Sequence, residues 1–168
     1  MYFETFNQMK KTLHQLDTWL EKAETHATEG KFDSQVYLGL RLALNQFPLS
    51  RQVQIACDTA KLGAFRLAGK DAPSHDDKEA SVPELRARVR SVIELLSGLT
   101  RADFEGAATR VITQPRWEGR TMTGADYFLE HVMPNFFFHA THVYAILRHN
   151  GVPLGKKDYL GPLTQTKP

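Results

Sequence analysis

Apolar residues recur at alternating spacings of four and three along this chain, and no other feature restricts its fold as strongly. The first such run consists of Tyr2, Phe6, Met9, Leu13, Leu16, Leu20, Ala23 and Ala27. A later run consists of Leu85, Val89, Val92, Leu96 and Leu99. This spacing places one apolar stripe along a helix, as in helix bundles and coiled coils. Helices of this kind must bury their stripes against one another.

A second helix is predicted from about Leu49 to Ala68, and Gly69 ends it. Its many small residues permit a close approach of another helix: Ala56, Cys57, Ala60, Gly63 and Ala64. The third helix is predicted to begin at a capping box, with Ser81 as N-cap residue and Glu84 three positions on. Its arginines are predicted to face solvent: Arg86, Arg88 and Arg90.

The segments between the helices are long. Residues 31–47 predict an extended, partly buried connection after a C-cap region at Gly30, and residues 69–81 predict a polar crossover. β-Branched and aromatic residues around Pro115 and Gly119 predict a short hairpin within residues 107–121. The tail after Val152 is predicted to be irregular.

A fourth helix is predicted from a cap at Thr123 to about Asn150, with Gly151 as its terminator and a bend at Pro134. Four long helices with connections of about 12 to 22 residues predict an all-α four-helix bundle with crossover connections. Residues 1–168 are interpreted as a single domain of this kind.

Composition narrows the class of protein. The 168 residues carry 21 Lys and Arg against 19 Asp and Glu, without the basic cluster that a nucleic-acid-binding protein shows. The single cysteine, Cys57, excludes an intramolecular disulfide and favours a reducing compartment. The N-terminal residues lack the pattern of a secretory signal. A cytoplasmic protein that binds neither nucleic acid nor membrane is therefore expected.

The fourth helix carries the candidate site. Residues 131–147 contain no Asp, Glu, Lys or Arg, and this stretch is too short and too polar to span a membrane. On a helical wheel the polar residues of this helix fall within an arc of about 80°. They are His131, Asn135, His139, His142 and His149. A polar stripe on an otherwise apolar helix predicts a lined cleft.

One interpretation of this stripe is a metal site. Imidazole is a preferred ligand of zinc, nickel and similar divalent ions. Helical spacing places His139 with His142, or Asn135 with His139, on one face. A third ligand has to come from another helix, and the candidates are Asp58, Gln54, Cys57 and His14.

A structural interpretation competes with the metal site. His131 and His149 lie near a helix bend and a helix end, where carbonyl groups need partners. Cys57 is interpreted as a small core residue, and Arg116 and Trp117 as parts of a packed lid. The acidic crossover lacks calcium-loop spacing, which favours a solvated loop; its residues are His75, Asp76, Asp77 and Glu79.

Three segments carry a family resemblance that covers nearly the whole chain. They are FPLSRQVQIACDTAKLGAFRLAG (47–69), the D-x-E-x-S-x-x-E-L run from Asp77 to Leu85, and FHATHVYAILRHNGVPLGKKDYLG (138–161). With them the chain resembles an uncharacterised bacterial and fungal family within the DinB-like (YfiT-like) superfamily. The resemblance implies a four-helix bundle with crossed connections and a homodimer.

The resemblance also implies a metal site. Better-known superfamily members bind a divalent metal through three histidines, one on the second helix and two, four apart, on the fourth. Some of them activate a low-molecular-weight thiol. His139 matches the last of these histidines, because Leu147, Arg148 and Gly151 follow at the matching distances. The ligand four residues earlier falls on Asn135, and residues 48–69 contain no histidine.

Two functions from different classes remain open. The first is a small-ligand-binding or dimeric structural module with a His/Asn-lined cleft and without the full three-histidine site. The second is an enzyme of the thiol transferase or hydrolase type that depends on zinc, nickel or another divalent metal. In that enzyme His139 and His142 are ligands, and Asp58, Gln54 or Cys57 completes the site.

Overall fold

Four long helices make up most of the computed structural model, which describes residues 1–166. The first three are α1 (Tyr2–Gly30), α2 (Leu49–Ala68) and α3 (Val82–Ser97). The fourth, α4, joins an α-helical turn (Gly124–Asp126), a π-helical segment (Tyr127–Val132) and an α-helix (Met133–His149). A hairpin of β1 (Val111–Thr113) and β2 (Thr121–Thr123) precedes α4. The predicted all-α fold, with a hairpin before the fourth helix, is confirmed.

The apolar stripes meet in one core. α1 packs against α3 and α4, and α2 packs against α3 and α4. Of the α1 stripe, Met9, Leu13, Leu16 and Leu20 are fully buried. Burial of such side chains is the main driving force for this packing, at about 1.5–3 kcal/mol each.

A glycine allows α2 and α4 to approach closely, as the small residues of α2 predict. A Cβ atom on Gly63 would lie 2.6 Å from Cγ1 of Val132, which belongs to the π-helical segment. This distance is shorter than any ordinary contact between carbon atoms. The position of the π-helical segment against α2 therefore depends on the missing side chain.

Both predicted N-caps are present. The Ser81 hydroxyl accepts a hydrogen bond from the backbone N–H of Glu84, and the Thr123 hydroxyl accepts one from the backbone N–H of Asp126. The Glu84 carboxylate accepts from the backbone N–H of Ala80, one residue before the N-cap. These side chains satisfy donors that the first helical turn leaves free.

Two predictions about the first connection are wrong. Gly30 is the last residue of α1, and the left-handed position after it is occupied by Lys31. The extended connection instead contains a 3-10 helix, Ser34–Gly39, because the Asp33 carboxylate caps it by accepting from the backbone N–H of Gln35. Leucines alternate from Leu38 to Leu44, across the end of this 3-10 helix. That alternation favoured an extended segment and gave no indication of the helix.

The tail is also more ordered than predicted, since it contains a short helix, α5 (Lys156–Leu160). The Trp19 indole donates a hydrogen bond to the backbone carbonyl of Asp158, and the Tyr159 ring stacks on Trp19 at 5.6 Å. Long-range contacts with α1 therefore hold α5, and the local sequence does not predict them.

A π-helical segment, Tyr127–Val132, ends two residues before Pro134, where the sequence predicts a bend. Within it the backbone N–H of Met133 bonds the carbonyl of Phe128, five residues earlier. Proline has no N–H with which to continue the α-helical pattern, and π-turns accommodate such interruptions. Within residues 1–166, no helix combines the length and apolarity needed to cross a membrane.

Candidate functional site

A cavity of about 450 Å³ lies between α2, the hairpin loop and α4, and we call it the α2–α4 cavity. Its lining residues are Phe47, Arg51, Ile55, Asp58, Thr59, Leu62, Arg66, Gln114, Pro115, Arg116, Tyr127, His131 and Asn135. The six lining residues of α2 recur mostly at spacings of three and four, so they share one helix face. The volume is in the range of pockets for small organic molecules.

Aromatic contacts hold the hairpin loop against the π-helical segment. The Trp117 ring lies edge-on to Tyr127 at 5.9 Å, and the Tyr127 ring lies edge-on to His131 at 5.5 Å. From the opposite side, Arg66 of α2 donates to the Tyr127 hydroxyl at 3.0 Å. Trp117 therefore packs against the π-helical segment, whereas Arg116 lines the cavity.

His131 is held in its neutral form beside a positive charge. The Arg116 guanidinium donates to Nε2 of His131 at 2.8 Å, so this nitrogen acts as the acceptor. Burial lowers the pKa of His131, and the charge of Arg116 lowers it further. The nearest partner of Arg116 is thus a neutral ring and not a carboxylate.

Gln114 is the most unusual polar residue of the cavity. Its side chain is only 8% exposed, and its Nε2 atom has no hydrogen-bond partner within residues 1–166. A buried donor without a partner costs about 1–3 kcal/mol. The described residues therefore leave a buried polar group of this cavity unsatisfied.

Two polar pairs join α2 to α4 beside the cavity. Nδ2 of Asn135 donates to the Thr59 hydroxyl at 2.7 Å. His139 and Gln52 form the second pair, with 2.6 Å between Nδ1 and Oε1. Because an amide oxygen only accepts, Nδ1 carries the proton and Nε2 keeps a free lone pair.

The His139 ring is neutral at physiological pH. Burial lowers its pKa to about 4, and the nearby His142 and Arg51 act in the same direction. His139 and Asn135 line a second depression of about 360 Å³ together with Glu130, His131, Pro134 and Phe138. The structure therefore brings three of the five residues of the predicted stripe to one place.

The other predicted candidates lie elsewhere. Nδ1 of His142 donates to the carbonyl of Phe138 at 2.7 Å, and its Nε2 is 3.2 Å from the amide nitrogen of Gln46. His14 is exposed on α1. Gln54 donates to Glu79 of the crossover at 2.8 Å. None of these three predicted residues lines either cavity.

Asp58 faces the α2–α4 cavity but is engaged by charges on its other side. Arg88, predicted to face solvent, is buried with 1% of its side chain exposed. Its guanidinium lies 2.9 Å from Asp58, 2.9 Å from Asp77 and 2.8 Å from Glu79. The prediction for Arg88 is wrong because three carboxylates compensate its charge. Much of the acidic crossover is likewise paired and not simply solvated.

Lys61 and His75 complete this network. Lys61 is buried, lies 3.1 Å from Asp58 and donates to Nδ1 of His75 at 2.7 Å. We call Asp58, Lys61, His75, Asp77, Glu79 and Arg88 the Arg88 cluster. Burial alone would raise the pKa of Glu79, but the hydrogen bonds from Arg88, the backbone and Gln54, together with the charge of Arg88, lower it below its ordinary value. Cys57 is fully buried, and burial raises its pKa to about 12, as expected of a core residue.

The donor set around His139 does not fit the three-histidine metal site of the superfamily. Within residues 1–166, the structure holds no group of three His, Cys, Asp or Glu side chains placed to bind one ion. The second depression places the amide of Asn135 beside His139. Nδ1 of His139 already donates to Oε1 of Gln52 on α2. A metal-ligand role of His139 or His142 stays a prediction.

The sequence interpretation missed Gln52, Thr59, Arg66, Gln114 and Tyr127. Gln52 and Thr59 lie seven residues apart on α2 and face His139 and Asn135, which lie four apart on α4. Their spacing of one heptad places Gln52 and Thr59 on one face of α2, which was a usable signal. No such spacing marks Gln114, because the fold of the hairpin brings this residue to the cavity.

Comparison with known proteins identifies the family. The model of the family described as "Domain of unknown function (DUF1993)" matches residues 1–160. A crystal structure of a DinB family member protein from Shewanella denitrificans is 51% identical, with a TM-score of 0.94. The match covers 99% of this chain and 95% of that chain. No match was found among curated proteins. The chain therefore belongs to the DUF1993 family, a DinB-like family of unknown function.

Proposed function

We propose that this protein binds a small molecule in the α2–α4 cavity. The observation that carries the proposal is Gln114, a buried lining residue with an unsatisfied amide donor. Buried polar groups nearly always have partners in folded proteins. A bound molecule with an acceptor group supplies that partner.

The surroundings of Gln114 support a binding role. Apolar side chains of α2, Ile55 and Leu62, face polar groups of the hairpin and α4 across the cavity. Mostly apolar walls with a few fixed polar groups are typical of ligand pockets. The His131 ring stays neutral and already accepts from Arg116, so it adds no charge to the cavity.

A screen of small fragments by two-dimensional amide NMR tests the proposal. We expect fragments that bind to shift the amide signals of cavity-lining residues. The variant Ile55→Trp fills the cavity and should abolish these shifts, whereas Ile55→Val should retain them. Leu62→Phe provides a second block if Ile55→Trp lowers the thermal stability strongly. Fragments that bind the folded blocked variants as well as the wild type would overturn the proposal, as would the absence of any cavity binder.

A divalent-metal enzyme is the competing function. It requires at least two ligands in addition to Nε2 of His139, the free ring nitrogen. Elemental analysis of untagged, dialysed protein distinguishes the two functions. A stoichiometric metal that the His139→Ala variant loses would replace the binding proposal by the enzyme, whether of the thiol transferase or the hydrolase type.

The predicted homodimer is a separate proposal about assembly. It is supported by Phe138 on α4, which is half exposed, and by the exposed Leu44 and Phe47 of the first connection. Exposed apolar side chains of this size are common at interfaces between subunits. Sedimentation that shows only a monomer of 19.0 kDa would contradict the homodimer.

A further inference from the structure

We propose that the ligand of the α2–α4 cavity is an organic acid whose carboxylate binds Arg66, Arg116 and the Gln114 amide. The inference rests on the small-molecule binding proposed above and names the class of molecule. Three arginines and one carboxylate line this cavity, so it carries an excess of positive charge. An anionic molecule balances that excess.

The excess charge belongs to two of the three arginines. Arg51 pairs with Asp77, and Asp58 pairs with Lys61 and Arg88. Arg66 and Arg116, by contrast, form no ion pair with a carboxylate within residues 1–166, and their side-chain partners are Tyr127 and His131. Two guanidinium groups thus line the cavity without a counter-ion from the described part of the chain.

These two guanidinium groups bond to neighbouring rings of α4. Arg66 donates to the Tyr127 hydroxyl and Arg116 donates to the His131 ring, and the two rings are 5.5 Å apart. Arg116 taken alone is an ordinary exposed arginine. Arg66 is half-buried and Gln114 is buried, so the group as a whole is a built feature of the cavity.

The remaining hydrogen-bonding capacity of the cavity is mainly that of donors. The Tyr127 hydroxyl accepts from Arg66, so its own hydrogen is available to a ligand. The Thr59 hydroxyl accepts from Asn135 and is available in the same way. Nε2 of Gln114 is a donor without a partner. A ligand that satisfies these three groups must bring acceptor atoms, such as carboxylate oxygens.

A carboxylate on an apolar body fits both halves of the cavity. Guanidinium groups bind planar oxyanions through paired hydrogen bonds. The walls formed by Ile55, Leu62 and Pro115 would face a free inorganic anion with apolar surface and leave its remaining oxygens unpaired. An aromatic or aliphatic acid places its hydrocarbon part against those walls.

Titration of the full-length protein with matched probes tests the inference. The probes are benzoate and hexanoate, their uncharged counterparts benzamide and hexanamide, and inorganic phosphate. We expect saturable binding of the acids, with the amides at least about tenfold weaker, because a charged hydrogen bond is replaced by a neutral one. Arg116→Gln should weaken acid binding by about tenfold or more.

Arg120→Gln is the matched control, since Arg120 lies in the same hairpin, is 81% exposed and does not line the cavity. It removes the same charge and should leave acid binding unchanged. Equal loss in both variants would show a general charge effect and overturn the inference. Absence of saturable acid binding up to about 10 mM would also overturn it.

Two further outcomes separate this inference from the function on which it rests. If the amides bind as tightly as the acids and Ile55→Trp abolishes both, the cavity binds small molecules and the organic acid is wrong. If phosphate binds more tightly than either acid, the inference that the ligand has an apolar body is wrong. If Ile55→Trp leaves acid binding intact, the binding function itself fails at this cavity.

Discussion

Arginines on the two sides of α2 differ in whether carboxylates compensate their charge. On one side Arg88 is almost fully buried and lies within 3 Å of three carboxylates, on α2 and in the crossover. On the other side, the side-chain partners of Arg66 and Arg116 within residues 1–166 are the neutral Tyr127 and His131. The first arrangement leaves no charge for a ligand, whereas the second leaves two.

This difference separates stabilising charges from binding charges within one helix layer. A buried charge persists only if neighbouring groups compensate it, so the Arg88 cluster must be complete for the crossover to pack. Half-buried and exposed charges survive without compensation because water reaches them. Substitutions on the two sides are therefore expected to affect different measurements.

The largest expected effect belongs to Arg88→Met. Removal of the guanidinium leaves the mostly buried Glu79 without an ion-pair partner within residues 1–166. It leaves Asp58 and Asp77 with Lys61 and Arg51 alone. We expect the free energy of unfolding to fall by about 3–5 kcal/mol, as in other buried ion pairs that lose one partner. Urea denaturation followed by circular dichroism measures this loss.

Arg90→Met is the control, because Arg90 lies on the same helix with 60% of its side chain exposed. Its expected effect is within about 0.5 kcal/mol. An Arg88→Met loss as small as that of Arg90→Met would show that water already reaches the three carboxylates. The contrast between the two sides of α2 would then disappear.

Protonation of His139 should give the next largest effect. Its folded-state pKa of about 4 lies below the ordinary value of 6.5. Between these values the unfolded chain binds a proton that the folded chain does not. Stability should therefore fall as the pH drops from about 6.5 to 4, and this residue accounts for about 3 kcal/mol at most.

Urea denaturation at several pH values measures this dependence. His139→Gln should make it shallower than in the wild type, while the exposed histidine His149, changed to Gln, should leave it as it is. A slope that His139→Gln leaves unchanged would mean that the ring is accessible to protons in the folded state. The surroundings of His139 would then tolerate a protonated ring better than its burial indicates.

Gly63→Ala tests the close packing of α2 against the π-helical segment of α4. The added methyl group meets Val132 and pushes the π-helical segment away from α2. We expect a loss of about 1–3 kcal/mol, as for other overpacked cores. Val132→Ala makes room for the methyl group, so the double variant should be more stable than the sum of the single changes predicts. Strictly additive losses would contradict the contact.

Spacing and capping were sufficient to predict the four long helices, because these signals are local. The stripe of α1 and the caps at Ser81 and Thr123 depend on residues at most four positions apart. The position of Arg88 in the sequence indicated that it is buried, although its charge favoured exposure. Arg88 lies three residues after Leu85 and four before Val92, so it shares their helix face.

The cavity was less accessible to prediction, because its residues meet only in the folded chain. The π-helical segment changes the winding of α4 between Tyr127 and Val132. A wheel drawn at 100° per residue therefore misplaces residues before Val132 relative to His139. Gln114 and Arg116 reach the cavity through the hairpin loop, whose approach to α4 depends on the packing of Trp117 on Tyr127.

The smallest effect on stability, and the most direct test of the cavity side, is expected for Arg116→Gln. Arg116 is exposed and forms no ion pair within residues 1–166, so the free energy of unfolding should change by no more than about 0.5 kcal/mol. The pKa of His131 should nevertheless rise, because the charge of Arg116 is one of the causes that lower it. NMR titration of the His131 ring measures the rise, with Arg120→Gln as the control that should leave it unchanged. An unchanged pKa in Arg116→Gln would mean that the guanidinium does not rest on the ring, and its place among the unpaired charges of the cavity would be lost.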